Sequence, residues 1–159
     1  MKITILCVGK LKENFFAEAV AEYQKRLFKY AKIQIVEVAD EKAPEQLSPA
    51  QSRQVKQREG ERLLKKLPLD AFSVALAIEG TGLSSEGLAG FFEEKTVQGV
   101  SHFAFLIGGS LGLSEEVLAR AQFLLSFSKM TFPHQLMRVL LLEQIYRSMR
   151  IIKKEPYHK

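Results

Sequence analysis

A chain of 159 residues, 47% hydrophobic and 26% charged, is long enough to bury one full core, so a single domain over residues 1–159 is expected. No apolar run approaches the roughly twenty residues of a membrane span, and the apolar start, residues 3–8, is too short for a signal segment; the expectation is a soluble, cytoplasmic protein with no membrane partner. The formal net charge of +5 is not evenly spread: residues 1–127 carry 16 basic and 16 acidic side chains, residues 128–159 seven basic and two acidic.

Residues 2–8 are apolar on both faces and predict a strand interior to a sheet, ended by Gly9. Asn14 predicts the cap of a helix through about Tyr30, with Phe15, Phe16, Ala19, Val20, Tyr23 and Leu27 at helical spacing. A second strand over 33–38 leads into a polar loop over 39–48. Ser48-Pro49 then opens a highly charged helix to about Leu67, whose alternating signs read as a solvated face rather than a nucleic-acid contact. A third strand over 72–78 runs into Glu79, Gly80, Thr81 and Gly82, and Ser84 or Ser85 caps the next helix, with Leu88, Phe91 and Phe92 inward. The fourth strand, 102–107, runs into Gly108-Gly-Ser-Leu-Gly112, and Ser114 caps a short helix to Arg120. A fifth strand over 123–126 turns into a last helix pattern to Lys154 with Pro133 in its first turn, where a missing N–H costs nothing.

Five strands alternating with five helices predict an α/β fold, a mostly parallel sheet covered by helices on both faces. The last helix is apolar around most of its circumference. Two placements are open, burial inside the monomer or a helix that covers its own core while pairing with a second subunit; a chain end seldom lies mid-core, which favours the second. Its Glu143 and Arg147 form a favourable i,i+4 pair. Lys129 and Arg138 stand too far from the helix C-terminus to be explained by its dipole, so a patch for a polyanion competes with a solvated helix end.

The glycines locate a ligand site. Only Gly9 follows the first strand, so the dinucleotide fingerprint is absent, and no P-loop occurs. Gly80 and Gly82, then Gly108, Gly109 and Gly112, then the turn over 126–132 follow strands three, four and five. In a parallel sheet these three loops converge on one rim. Cys7, alone and in a strand, predicts a buried structural thiol, and His102, His134 and His158 stand too far apart for a metal to be expected.

The start of the chain over 1–10, Leu83-Ser-Ser-Glu86, Phe105-Leu-Ile-Gly-Gly-Ser-Leu-Gly112, the string over 126–135 and the tail Tyr157-His-Lys159 together resemble the large-subunit ribosomal RNA pseudouridine methyltransferases, the RlmH family of the SPOUT class. The resemblance covers essentially the whole chain. It implies a C-terminal trefoil knot that holds S-adenosyl-L-methionine, a homodimer with sites at the subunit interface, and methylation of ring nitrogen N3 of a pseudouridine in 23S rRNA of the assembled 70S ribosome. It also implies cofactor contacts at Leu76, Gly108, Phe127, Ser128, Lys129, Met130, Thr131 and Phe132. Thr81, where relatives often have lysine, and Leu111, where they vary, depart from the pattern.

Methyl transfer from a sulfonium to an imide nitrogen requires alignment and loss of the imide proton, with no metal or covalent nucleophile. His134, kept neutral by a helix N-terminus, is the leading base or orienting group, with fixing the turn as its competing role. Arg138, one turn on, is expected to meet RNA phosphate or a uracil carbonyl, or else to form an interface ion pair. Tyr157 and His158 are implied to complete the substrate site, in the partner's cleft if the site lies at the interface; disorder is the alternative.

Overall fold

The computed structural model describes residues 1–159. The two strands without a polar face set the middle of the sheet. β1 (Lys2–Val8) is buried from Ile3 onward and β4 (His102–Ile107) throughout, because side chains on both faces meet covering helices. β2 (Lys32–Val38) lies at one edge; β3 (Phe72–Gly82) and β5 (Phe123–Ser126) complete the order β2-β1-β4-β3-β5. Every pairing is parallel, so every strand ends on the same rim.

The period-two alternation of β1 divides the core. Ile3, Ile5 and Cys7 face α1 (Asn14–Leu27), α3 (Ser85–Val97) and α5 (His134–Ile152) in a cluster that includes Val20, Leu27, Phe92, Leu141, Leu142 and Ile145. Leu6 and Val8 face the other way, toward α2 (Pro49–Lys66) and α4 (Glu115–Arg120), packing with Leu63, Leu106 and Val117. Phe91, Phe92, Phe103 and Phe72 interlock edge to face on the larger side, an arrangement that adds to their burial.

Three helix starts follow directly from their serines. Ser48 accepts from the Gln51 N–H while the Gln51 side chain returns the bond, a reciprocal cap just ahead of Pro49; Ser84 accepts from Gly87 N–H and Ser114 from Val117 N–H. The first helix starts differently from its sequence prediction. Glu13, not Asn14, is its N-cap, without a side-chain bond, and the helix ends at Leu27, short of Tyr30. Phe15 faces solvent rather than the core.

The third strand is longer than its apolar run. Leu125 pairs with Leu76 and again with Thr81, so residues 77–80 loop out of the ladder and Gly82 rejoins it opposite Ser126. Gly80 is required at that return: a Cβ there would lie 2.7 Å from the Leu124 carbonyl carbon.

α5 lies between α1 and α3, with Leu141, Leu142, Ile145, Tyr146 and Met149 buried in the monomer. α5 thus covers its own core, as both placements required, while Leu136, Met137, Val139, Leu140, Ile151 and Ile152 stay partly exposed; the tail folds back over the helix and covers its end. Arg150 pairs with Glu155 and donates to the Pro156 carbonyl, and Tyr30 donates to Glu155. The predicted Glu143–Arg147 pair forms.

A candidate active site at the carboxyl rim of the sheet

The loops after β3, β4 and β5 meet in a cleft of about 680 Å³, within the usual size of a small-ligand site. Its walls come from Leu76 to Glu79, from Ile107 to Leu113, and from the β5–α5 turn up to His134, with Met137 behind. Twelve of its 22 lining residues are hydrophobic, so the floor suits a flat apolar ring. Charge sits at Lys56 and Glu79.

The glycine loop is shaped by close approach. A Cβ on Gly108 would stand 2.5 Å from the Gly112 carbonyl carbon, so only glycine lets the loop fold on itself. Gly112, at φ +86, donates its N–H to the Gly109 carbonyl at 3.0 Å and leaves open space where a side chain would stand. Opposite, Ser126 Oγ donates to the Ser128 carbonyl and Ser128 Oγ accepts the Met130 N–H at 2.9 Å, which sets the turn that carries Phe127 to Phe132.

Of the positions expected to hold the cofactor, Leu76, Gly108, Phe127, Ser128, Met130, Thr131 and Phe132 line the cleft. Lys129 is exposed and is not among the lining residues. His134 is the first helical residue of α5 and lines the cleft beside Pro133. Its pKa is lowered from 6.5, chiefly by burial and then by the Arg138 charge, so it is neutral at physiological pH.

Arg138 does not reach the cleft surface. Its side chain is 1% exposed, its Nη1 donates to Glu37 at 2.7 Å and its Nη2 to the carbonyls of Gly9 at 2.5 Å and Val8 at 3.2 Å. The expected direct contact with RNA is therefore replaced by an internal one: the guanidinium ties α5 to the end of β1. The basic excess of the C-terminal segment shrinks accordingly, since Arg147 and Arg150 are also paired with carboxylates.

Tyr157 and His158 pack on their own chain, outside its cleft. The Tyr157 hydroxyl donates to Glu143 at 3.1 Å, its ring packs on Tyr146, and His158 Nε2 lies 2.7 Å from Glu86. Burial pushes the Tyr157 phenol up to about 12, so it keeps its proton. Cys7 is buried, and desolvation likewise raises its thiol to about 12, removing it as a nucleophile.

Sequence reasoning missed Lys56 and Glu59, both on the helix taken as a solvated face. Glu59 is buried under the glycine loop, where a Cβ on Gly109 would come within 3.0 Å of its Oε2. Its Oε1 accepts the Glu41 N–H at 3.1 Å, and burial raises its pKa above 4.5. The residue's only signal in the sequence was its place one residue before Gly60, where α2 closes on Ser114, the N-cap of α4. Elsewhere the exposed-face reading is right. No three His, Cys, Asp or Glu side chains come together in a way that would hold a metal.

The cleft is thus built from the loops after the third, fourth and fifth strands of a parallel sheet, with no dinucleotide fingerprint after the first. A family profile described as "Predicted SPOUT methyltransferase" matches residues 1–158, and the chain belongs to that family. Within it, the chain is 57% identical over 159 residues to a protein of Carboxydothermus hydrogenoformans and 60% identical to one of Shouchella clausii, covering all of both, each named ribosomal RNA large subunit methyltransferase H. Solved structures agree on the fold. A probable methylase family protein from Haemophilus influenzae superposes with a TM-score of 0.56 at 14% identity, covering 99% of this chain and 70% of that one. TrmJ from Z. mobilis superposes with a TM-score of 0.51 at 15% identity, covering 100% and 73%.

Proposed function

We propose that this protein transfers the methyl group of S-adenosyl-L-methionine to ring nitrogen N3 of a pseudouridine in 23S rRNA, on assembled ribosomes in the cytoplasm. The observation that carries the reading is the cleft itself, apolar on its floor, ringed by loop amides and ending at a neutral histidine. Full-length likeness to proteins named for large-subunit rRNA methylation supports the acceptor.

The residues present fit the cofactor. Leu76, Ile107, Leu113 and Leu125 offer the adenine a dry slot, and the glycine loop and the 127–132 turn offer backbone groups to its edge. Lys56 and Glu79 are charged groups suited to the zwitterionic methionine end. When bound, the sulfonium supplies an activated methyl, so the protein's task is alignment. His134 stands where the cleft meets α5 and, unprotonated, takes or orients the imide proton as the acceptor nitrogen attacks. Arg138 holds the β1 end and the His134 turn in fixed relation from beneath.

The C-terminal segment is proposed to thread the trefoil knot of its class and the protein to act as a homodimer. Exposed Ile78, Leu111 and Met130 at the cleft support a covering subunit, and the tail's absence from its own cleft supports action in the partner's.

The test is transfer from labelled S-adenosylmethionine to 70S ribosomes, 50S subunits and protein-free 23S rRNA, followed by nuclease mapping. Label at one pseudouridine in ribosomes is the expected result. Bound cofactor with no label on any acceptor would remove the reading.

A further inference from the structure

The loop that follows β1 is held more firmly than a connection requires. Gly9 takes φ +80, a left-handed conformation. Its N–H donates to the Val38 carbonyl at 2.8 Å, and its own carbonyl receives the buried Arg138 at 2.5 Å. Three residues on, the Lys12 N–H donates to Gln135 Oε1 at 2.9 Å, on the first turn of α5. Between them Leu11 packs against the core. The segment is thus pinned at both ends to the helix that carries His134, with its middle side chain turned inward.

What such a loop presents is Lys10 and Lys12. Both are exposed, and neither enters any ion pair of the molecule, although Asp40 stands next to Gly9. The three arginines of α5 are neutralised: Arg138 by Glu37, Arg147 by Glu143, Arg150 by Glu155. The loop lies against the reacting end of the cleft, since His134 Nε2 is 3.8 Å from where a Gly9 side chain would begin. Lysines kept only for solubility need no fixed backbone. Two unpaired lysines on a segment pinned to α5 beside the proposed reacting group are suited to phosphate.

We propose that the Gly9–Lys12 loop is the docking arm for the RNA sugar-phosphate backbone, with Lys10 and Lys12 binding phosphates next to the nucleotide presented to His134. The proposal rests on the reading of the cleft as an rRNA methyltransferase site. Phosphate contacts of this kind set register and affinity and carry no base information, so acceptor identity comes from the folded RNA. Methyl transfer then depends on the arm through substrate docking alone.

The experiment compares wild type with K10E/K12E, K10A/K12A and K10R/K12R, and with K65E/K66E as a control at the far end of α2. Ribosome KM and kcat are measured across a potassium chloride series, and S-adenosylmethionine Kd by calorimetry. In K10E/K12E the ribosome KM is expected to rise about tenfold or more, and the salt slope of log KM to fall by roughly 0.7 to 0.9 per lysine lost. Cofactor Kd stays at the wild-type value, K10R/K12R recovers docking, and K65E/K66E behaves as wild type. A K10E/K12E variant with wild-type KM, or one that loses cofactor and ribosome affinity in step, overturns the arm. If wild type methylates no ribosomal acceptor, the reading of the cleft has failed instead. Direct binding of 50S subunits to wild type and K10E/K12E then decides the arm on its own: weaker binding by the variant upholds it and equal binding removes it.

Discussion

Two side chains one helical turn apart, His134 and Arg138, do different work because one stops at the cleft and the other beneath it. The depressed His134 pKa has a sign that can be followed. The folded state prefers the neutral ring, so the stability contributed by that preference is present above 6.5 and is lost as the pH falls through the lowered folded value. If neutral His134 handles the imide proton, kcat on ribosomes declines on the acid side of 6.5. In H134Q, kcat drops by about 10²-fold or more, the acid limb flattens and cofactor Kd is retained. An unchanged pH profile in the variant would assign His134 to the turn alone. Arg138 predicts a stability effect instead. Replacing it by methionine leaves Glu37 and two carbonyls without their donor, and chemical denaturation should show a loss of about 3 kcal/mol. Glu59 behaves oppositely to His134: its raised pKa means that the stability it contributes is full below 4.5 and is lost as pH rises through the folded value.

At the scale of the elements, the site is made by strands that end irregularly. β3 leaves its ladder for residues 77–80 and returns, and that excursion forms a wall of the cleft. The β4 strand ends in a loop that folds within van der Waals distance of its own backbone at Gly108. G108A forces Gly112 and Leu113 to move, because the nearest obstructing atoms are backbone and cannot rotate away. Calorimetry should find cofactor Kd raised about tenfold or more, with the far-ultraviolet spectrum retained. Wild-type affinity in G108A would mean that the loop does not touch the ligand. α2, by contrast, is fastened by its reciprocal Ser48–Gln51 cap at one end and by the Gly60 contact with Ser114 in its middle, which brings Lys56 to the cleft.

For the whole molecule, the proposed homodimer makes the position of the tail testable. Tyr157 and His158 pack against α5 and α3 of their own chain and leave the chain's cleft unlined by the tail. A tail acting in the partner's cleft predicts that Y157A/H158A lowers kcat much more than it alters cofactor Kd. It further predicts that mixing this variant with H134Q restores part of the activity, because one composite site in a mixed dimer is then whole. No recovery on mixing, with both variants dimeric, would place the tail's role within its own subunit.

The sequence by itself determined the alternation of five strands and helices, the interior position of β1, the serine caps of three helices and the convergence of three loops on one rim. These follow from short-range pattern: side-chain period, capping chemistry and the shared direction of parallel strands. Most of the expected cleft positions were legible for the same reason, lying in the loops themselves, although the family resemblance, not spacing, singled them out. What only the tertiary structure decided depended on partners far along the chain. Arg138 is internal because Glu37 and the carbonyls of Val8 and Gly9, more than a hundred residues earlier, take its donors. Glu59 lies under the glycine loop and Lys56 lines the cleft because α2 packs on α4, and the end of α5 is covered because its own tail returns over it. A charge pattern states how many ions a segment carries. Folding decides which of them are neutralised, and here it leaves Lys10 and Lys12 unpaired beside the cleft.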